Sequence, residues 1–422
     1  MSLLQRRIVL GALGAGLAGA WLARPGRVGA PHAAYFTDLT RALRDAGMAT
    51  PTLVIDRQRL HANVQQIVKN IGGRMHLRVV AKSLPSVALI DEVLGLAHTD
   101  RLMLFSLPQL MQLSTGTRNI LLGKPMPAAA AARFYRDSQV RPPAEKLQWL
   151  IDTPQRLAQY RDLAQQQQLA MAVNFEIDVG LHRGGIASAQ TLQEMLAILQ
   201  SEPRLHWSGL MGYDAHVSKI PDIAGSRQGA VDHARSTYAA YARQVQATLG
   251  AAATQSATFN AGGSPTYRLY DGSGIENEVS VGSAMVKGVD FDTPLLADLL
   301  PATFIATPVL KAQSRFQMPY GVEALGDAAR LWDRNQDKAY FIYGGNWLAD
   351  PVSPAGLSAS GLYGTSSNQQ VLVGSGWQDL KVDDMVFFRP RQSEAVLQQF
   401  GDIAVYEDGK IAQFWQPMAA TA

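Results

Sequence analysis

A lysine stands where a buried strand is predicted to end. Lys82 directly follows the run 77–81, which is rich in apolar and β-branched residues and predicts a strand. Ligands of parallel α/β proteins bind at the carboxyl ends of the strands. A partly desolvated amine at that position can lose its proton and attack a carbonyl carbon. Lys82 is therefore a candidate catalytic residue, and the alternative is an ordinary surface lysine at a strand end.

Two further segments place ionisable side chains after predicted strands. The segment 176–185 runs from a strand into an acidic, glycine-rich turn and contains Arg183, which could hold a phenolate or a carboxylate, or form a surface ion pair. Tyr213, Asp214 and His216 bring a phenol, a carboxylate and an imidazole together after the next strand. His216 beside Asp214 is a candidate proton shuttle, although a lone histidine is more often a hydrogen-bonded structural residue.

A glycine-rich segment after another predicted strand could bind a phosphate group. The segment 260–267 reads Asn-Ala-Gly-Gly-Ser-Pro-Thr-Tyr. Its backbone N–H groups and the hydroxyl of Ser264 could surround a phosphate, and glycine allows close approach. A glycine turn that only closes a strand is the alternative. A lysine, an arginine, a histidine and such a loop on different strands seldom coincide by chance, so the segments together predict one site.

The elements that would position this site alternate between strands and helices. Helix-like stretches such as 86–96, 154–168, 189–199 and 230–249 separate most of the predicted strands. Eight strands alternating with helices predict an α/β fold of the (β/α)8 barrel type. An earlier strand at 52–55, followed by a helix at 57–70, would pack outside the barrel. The eight predicted strands are 78–81, 102–105, 119–122, 147–151, 172–177, 207–213, 257–260 and 278–281.

The residue pattern changes near residue 301, where helical periodicity is replaced by short apolar runs between turns rich in Gly, Asp and Ser. This pattern predicts a β-rich C-terminal domain. We therefore divide the chain into a barrel domain at 48–300 and a β-rich domain at 301–422, on which the strand near 50–56 could pack. The predicted C-terminal strands are 304–310, 339–342, 370–373, 385–388, 403–406 and 411–414.

Composition excludes several classes of protein. Apolar residues make up 47% of the 422 residues and charged residues 17%, which suits a globular enzyme. The absence of cysteine excludes disulfides, thiolate metal ligands and a cysteine nucleophile. Four of the 38 basic residues lie in the first thirty residues, which contain no acidic residue, so the rest of the chain is nearly neutral. No basic patch indicates a nucleic-acid partner.

The first thirty residues are typical of an export leader. Arg6 and Arg7 precede a Gly- and Ala-rich apolar run that ends near Leu22, and small residues at 28–30 could support cleavage. The apolar run is shorter than a typical membrane-spanning helix. The paired arginines resemble a twin-arginine leader, so residues 1–30 predict export to the periplasm by the Tat machinery. An ordinary Sec leader and an uncleaved anchor are the alternatives.

Five motifs resemble the fold type III enzymes that use pyridoxal 5'-phosphate (PLP), and among them the D-threonine aldolase / D-serine dehydratase-like family. TPTLVIDRQRLHANV is similar to the start of that family, and LRVVAKS to its lysine motif. FEIDVGLHRGG is similar to its acidic-glycine-arginine motif, NAGGSPTY to its phosphate-binding segment, and EVSVGSAMVKGVDFD to the segment of its last barrel strand. The resemblance covers nearly everything after residue 48.

The resemblance implies a fold, a cofactor and a set of binding residues. The fold would be a PLP-binding (β/α)8 barrel followed by a β-rich, D-serine dehydratase-like C-terminal domain. Lys82 would be the residue that forms a Schiff base with PLP, and Arg183 would lie near the cofactor ring. The motif that resembles the phosphate-binding segment contains Asn260, Gly262, Gly263, Ser264 and Tyr267.

The chain departs from the family at three places. Val80 stands where the family usually has a histidine, and Ala284 where it usually has an aromatic residue. Gln392 and Glu394 occupy the positions that correspond to the family's metal-binding histidine and its cysteine or aspartate. Glutamine is a poor ligand for Zn²⁺ or Mn²⁺. We therefore predict no tightly bound transition metal at these positions.

The sequence thus predicts a PLP-dependent lyase, similar to D-threonine aldolase, that acts on a small D- or β-hydroxy amino acid. Proton transfer would fall to Lys82 and to the cluster of Tyr213, Asp214 and His216, with His216 as the second acid or base. A metal-independent enzyme similar to amino acid racemases is one alternative. A barrel that binds PLP or another ligand without catalysis is the other. The small amino acid and the export machinery are the predicted partners, and a homodimer is possible.

Overall fold

The computed structural model describes residues 24–114, 116, 118–221, 223 and 225–419. The arginine pair of the predicted leader, Arg6 and Arg7, lies outside the described residues. The described chain divides into two compact units. One consists of residues 55–303, 391–407 and 413–419, and the other of residues 24–54, 304–390 and 408–412. Among the described residues, no helix combines the length and apolar character needed to cross a membrane.

The first unit contains a closed barrel of eight parallel strands, which confirms the predicted fold class. The strands follow one another around the barrel in chain order, and the last pairs with the first, with Leu77 beside Val279. Most residues of these strands are apolar, as expected of strands that are covered on both sides, although Arg78 in β2 and Glu278 in β9 are charged. The strands are β2 (His76–Val80), β3 (Arg101–Leu104), β4 (Asn119–Leu122), β5 (Leu147–Ile151), β6 (Met171–Glu176), β7 (Leu205–Met211), β8 (Thr258–Ala261) and β9 (Glu278–Val281).

Local sequence explains where several helices of this unit begin. The side chains of Asp56, Ser106, Thr153 and Ser188 each accept a hydrogen bond from the backbone N–H three residues further on. Such caps satisfy N–H groups that have no partner inside the helix. The helices are Arg57–Ile71, Val87–Leu96, Leu107–Leu113, Ala128–Asp137, Pro154–Gln167, Ala189–Gln200, Ser226–Leu249, Ala251–Gln255 and Ser283–Val286.

Short 3-10 turns follow several strands and carry the residues of interest. Ala81–Ser83 follows β2, and Ala215–Lys219 follows β7. Tyr267–Leu269 follows β8, and Val289–Phe291 comes after β9 and the helix Ser283–Val286. Two more 3-10 turns, Ala144–Lys146 and Pro294–Leu296, lie before β5 and before the end of the unit. Because each turn lasts about one revolution, its residues point in different directions.

A buried ionic cluster fills part of the barrel interior. The side chains of Arg78 and Glu278 are fully buried, and Arg78 Nη2 donates to Glu278 Oε2 over 2.9 Å. Arg101 Nη1 donates to the same oxygen over 2.7 Å. Arg78 Nη1 also donates to the carbonyl oxygens of Leu102 and Asn119 at 3.1 and 2.8 Å. These bonds compensate the cost of burying charge.

The second unit is rich in β-structure. A nine-stranded sheet outside the barrel has the strand order β13-β14-β11-β10-β1-β16-β17, and β15 pairs with both β10 and β12. The early strand β1 therefore belongs to this sheet and not to the barrel. The strands are β1 (Thr52–Asp56), β10 (Thr303–Gln313), β11 (Lys338–Ile342), β12 (Ala349–Ser353), β13 (Ser358–Ala359), β14 (Val371–Gly374), β15 (Met385–Pro390), β16 (Ile403–Glu407) and β17 (Lys410–Trp415). The α-helices Ala34–Asp45 and Glu323–Trp332 and the 3-10 turn Arg334–Gln336 also lie in this unit.

One part of the division differs from the sequence analysis. Residues 391–407, which follow β15 in the predicted C-terminal domain, belong to the barrel unit. Hydrogen bonds explain the difference, because Ser393 and Ser283 share one over 2.9 Å and the N–H of Asp290 donates to the carbonyl of Arg391 over 3.2 Å. The chain thus returns to the barrel after β15.

Candidate active site

A cavity of about 460 Å³ opens at the carboxyl ends of the barrel strands. Most of the residues that the sequence analysis selected meet there, although they come from different strands. Phe105, Lys219, Ser283 and Asp290 also line the cavity. The selected residues along its wall are Lys82, Arg183, Tyr213, Asn260, Gly262, Gly263, Ser264, Gln392 and Glu394.

Lys82 extends into this cavity from the turn after β2. Its neighbours Ala81 and Ser83 are buried, whereas 43% of the Lys82 side chain is exposed. The amine Nζ lies 4.8 Å from the centre of the Phe105 ring and 3.3 Å from Glu394 Oε1. In this 3-10 turn, the side chain of Lys82 points in a different direction from those of its buried neighbours, so its amine is accessible to a ligand.

Glu394 faces Lys82 and lies among three serine hydroxyl groups. Ser83 donates to its Oε1 and Ser393 to its Oε2, each over 3.1 Å, and the hydroxyl oxygen of Ser283 lies 3.4 Å from Oε1. Burial alone would raise the pKa of Glu394, but the charge of Lys82 and the hydrogen bonds outweigh burial and lower it. The carboxylate is therefore ionised at neutral pH, and 33% of the side chain is exposed.

In the sequence, Glu394 stands out only as the occupant of a position that corresponds to a family metal ligand. Its contact with Lys82 spans more than three hundred residues, and no local pattern signals it. Gln392, at the companion position, donates through its amide to Asp290 Oδ2 over 3.0 Å. Within the described part of the chain, no group of three or more histidine, aspartate or glutamate side chains is arranged to hold a metal ion.

Arg183 and Tyr213 form a stacked pair at the turns after β6 and β7. The guanidinium of Arg183 lies 4.8 Å from the centre of the Tyr213 ring, a favourable cation–π contact. Asp178 shapes the turn that carries Arg183, because its Oδ1 accepts from the N–H groups of Gly180 and His182 at 2.9 and 3.0 Å. Burial raises the pKa of the Tyr213 phenol, and Arg183 offsets this only in part. Tyr213 therefore keeps its proton at neutral pH.

The glycine loop after β8 offers hydrogen-bond donors to the cavity. Within the described residues, the N–H groups of Gly262 and Ser264 donate to no acceptor. Ser264 Oγ accepts from the N–H groups of Gly282 and Ala284, each over 3.1 Å, which leaves its own hydrogen to donate. Gly263 differs from the expectation, because its N–H is committed to Thr266 Oγ1 over 3.1 Å.

Backbone geometry explains why this loop needs glycine. Gly262 has a φ of +66°, in the left-handed region that favours glycine. A Cβ on Gly263 would lie 2.6 Å from a ring carbon of Tyr213, so the ring packs directly against the backbone there. The side chain of Asn260 lines the cavity but is tied down, because its Nδ2 donates to Glu278 and Ser280, each over 2.8 Å.

Three selected residues are not among those that line the cavity: Asp214 and His216 of the expected proton-transfer cluster, and Tyr267 of the expected cofactor-binding set. Asp214 is fully buried, accepts from Thr266 and Tyr270 at 2.6 Å each, and has a pKa that burial raises. The buried phenol of Tyr267 accepts from Asn70 over 3.0 Å. His216 lies in the turn Ala215–Lys219, next to Gly180. A Cβ added to Gly180 would be 3.3 Å from the Nε2 atom of His216. Of the expected cluster, only Tyr213 reaches the cavity.

The chain resembles known proteins in sequence pattern and in structure. The sequence profile of the family described as "Alanine racemase, N-terminal domain" matches residues 55–289, more than half of the chain. Among curated proteins, no sequence matches the chain. The matched residues include all eight barrel strands and the turns that carry Lys82, Arg183, Tyr213 and the glycine loop.

Three solved structures share the fold over most of their length. D-threonine aldolase from Filomicrobium marinum is 15% identical, with a TM-score of 0.66 over 88% of this chain and 95% of that protein. D-threo-3-hydroxyaspartate dehydratase from Delftia sp. HT23 is 18% identical, with a TM-score of 0.66 over 87% and 97%. Alanine racemase from Bacillus anthracis with bound L-Ala-P is 14% identical, with a TM-score of 0.64 over 87% and 98%. Identities of this size establish the shared fold alone.

Proposed function

Because the chain belongs to the family of the alanine racemase N-terminal domain, a family of fold type III PLP-dependent enzymes, we propose that it is a PLP-dependent lyase acting on a small D- or β-hydroxy amino acid. D-threonine aldolase and D-threo-3-hydroxyaspartate dehydratase share its fold. The observation that carries the proposal is the amine of Lys82, exposed in a cavity at the carboxyl ends of the barrel strands.

The residues of the cavity fit PLP. Lys82 provides the amine that the aldehyde of PLP requires. The N–H groups of Gly262 and Ser264, which meet no acceptor in the described part of the chain, and the Ser264 hydroxyl are the donors that a phosphate requires. When bound, PLP withdraws electrons from the α-carbon of an amino acid and so eases the breaking of bonds to that carbon. Arg183, stacked on Tyr213, offers a cation for the ring oxygen or for a carboxylate.

Two side chains in the cavity can carry the protons of such a reaction. Lys82 Nζ would be placed to take or return a proton at the substrate α-carbon. Tyr213 keeps its phenolic proton and can donate it through Oη. The two residues follow β2 and β7, which are not neighbours in the barrel. This separation favours, as a second candidate, a racemase that exchanges the α-proton between two groups.

A panel of amino acids tests the proposed function. We expect purified protein with PLP to convert at least one D-β-hydroxy amino acid, with turnover that survives EDTA. Glycine and an aldehyde would identify an aldolase, a keto acid and ammonia a dehydratase, and the opposite enantiomer a racemase. Activity that EDTA abolishes and Mn²⁺ or Zn²⁺ restores would contradict the expected metal independence. Bound PLP without turnover of any substrate would instead support a binding protein.

The proposal extends to export of the folded enzyme. The Tat route reads the arginine pair itself, so replacing Arg6 and Arg7 together by lysine is expected to leave the precursor in the cytoplasm although the positive charge is kept. Cell fractionation followed by immunoblotting measures the distribution. A double-lysine variant that reaches the periplasm as efficiently as the wild type would indicate a Sec leader.

A further inference from the structure

We propose that Glu394 is the specificity-determining residue of this cavity and that it selects a small amino acid whose side chain carries an ammonium group. The inference rests on the proposed function and deepens it by naming the substrate class. Glu394 has an ammonium partner in the structure already, because Lys82 Nζ lies 3.3 Å from its Oε1. The contact shows that the Glu394 carboxylate can bind an ammonium group in this cavity.

Covalent attachment of PLP to Lys82 changes the surroundings of Glu394. A lysine amine that has condensed with an aldehyde is no longer a free ammonium group. Glu394 then keeps the hydroxyl donors of Ser83 and Ser393 but loses the ammonium donor of Lys82, because an imine nitrogen carries at most one hydrogen. A partly buried carboxylate that has lost a charged donor is less well stabilised, and a substrate ammonium at the same place restores a charge-assisted hydrogen bond.

The distribution of charge in the cavity supports a substrate with a second amine. Five charged side chains line it among the described residues: the cations Lys82, Arg183 and Lys219 and the carboxylates Asp290 and Glu394. Arg183 and Lys219 follow β6 and β7 and offer partners for the substrate carboxylate. Asp290 and Glu394 lie on the side of β9 and β2, where Ser83 and Ser283 contact Glu394.

The serine hydroxyls also explain why Glu394 can hold one orientation. The hydroxyl of Ser283 can donate its one hydrogen to Ser83 Oγ over 2.8 Å or to Ser393 Oγ over 2.9 Å, which leaves the hydrogens of Ser83 and Ser393 for Glu394. All three serines are buried and come from separate segments of the chain. A carboxylate fixed in this way presents its oxygens in a defined direction, which selectivity for one side-chain group requires.

Three amino acids of similar size test the inference on the holoenzyme. D-2,3-diaminopropionate, D-serine and D-aspartate differ in carrying an ammonium, a hydroxyl or a carboxylate on the side chain. Dissociation constants come from titration of the visible cofactor band and from calorimetry. We expect the wild type to bind the diamino acid about tenfold more tightly than serine, as one charge-assisted bond implies, and aspartate most weakly. In Glu394→Gln, the ratio of the dissociation constant of D-serine to that of D-2,3-diaminopropionate should fall toward one.

The control variant is Glu145→Gln, which removes an exposed carboxylate in the turn before β5, at the other end of the barrel. It should keep the wild-type preference, and PLP content and circular dichroism should show that both variants are folded. Wild-type protein that binds no PLP, or whose cofactor band responds to no amino acid, would overturn the proposed function itself. An unchanged preference in folded, PLP-loaded Glu394→Gln would overturn the inference alone. An equal loss for all three ligands would also overturn it, because Glu394 would then hold the α-amino group.

Discussion

Lys82→Ala is expected to lose all covalently bound PLP. Of the side chains that line the cavity, Lys82 carries the amine that lies beside Glu394 and Phe105 at the end of β2. Borohydride reduces the bond between a lysine and PLP to one that survives denaturation. Reduced wild-type protein should therefore carry one PLP per chain after denaturation, and reduced Lys82→Ala none, as measured by intact mass and by peptide mapping.

Lys219 supplies the matched control for this experiment. It lines the same cavity from the turn Ala215–Lys219 and is also exposed. Lys219→Ala should keep the covalent adduct, because Lys219 follows β7 and the amine expected to bind PLP follows β2. Mapping of the adduct to Lys219 in the wild type, or retention of the adduct by Lys82→Ala, would show that the assignment of Lys82 is wrong.

Glu278→Gln is expected to destabilise the barrel by about 3–5 kcal/mol, the usual cost of breaking a buried ion pair. The change keeps the shape of the side chain but leaves the fully buried guanidinium of Arg78 without its counter-charge. Arg101 and Asn260 lose a charged acceptor at the same time. Urea denaturation followed by far-UV circular dichroism measures the shift in the midpoint.

The pKa of Glu278 gives this effect a pH dependence. Burial alone would raise that pKa, but the charges of Arg78 and Arg101 outweigh burial and lower it. A carboxyl whose pKa is lowered by folding stabilises the protein above the unfolded-state pKa, and the contribution is lost as the pH falls through the folded-state pKa. The gap between wild type and Glu278→Gln should therefore narrow in acid.

A surface ion pair provides the control for the buried one. Asp162 pairs with Arg161 over 2.8 Å on an exposed helix face, and about half of its side chain is accessible. Asp162→Asn should change the stability by less than about 1 kcal/mol, because solvent screens such pairs. Equal midpoints for Glu278→Gln and Asp162→Asn would contradict a structural role for the buried cluster.

The barrel and its lysine could be predicted because their signals are local. An apolar run of four to seven residues, a turn and a capped helix repeat along the chain, and each capping residue acts on an N–H only three positions away. A strand end also places Lys82, Arg183, Tyr213 and Ser264 at the same edge of the barrel, since parallel strands all end there. The eight strands were therefore predicted close to their observed positions.

Only the tertiary structure decided in which direction the side chains of neighbouring residues after a strand point. Tyr213, Asp214 and His216 lie close together in the chain, yet Tyr213 lines the cavity and Asp214 is buried against Thr266 and Tyr270. His216, in the 3-10 turn Ala215–Lys219, lies beside Gly180. Successive residues of an extended segment or a 3-10 turn point in different directions, so a shift of one residue changes the surroundings of a side chain completely.

The sequence by itself determined the order of strands and helices, and the positions of Lys82 and the glycine loop at strand ends, because short-range periodicity and turn chemistry specify them. The tertiary structure decided the charged partners. Glu278 reaches Arg78 across two hundred residues when the last barrel strand pairs with the first. Glu394 reaches Lys82 when the chain returns to the barrel after β15. Such contacts depend on closure of the whole fold, and no local pattern carries them.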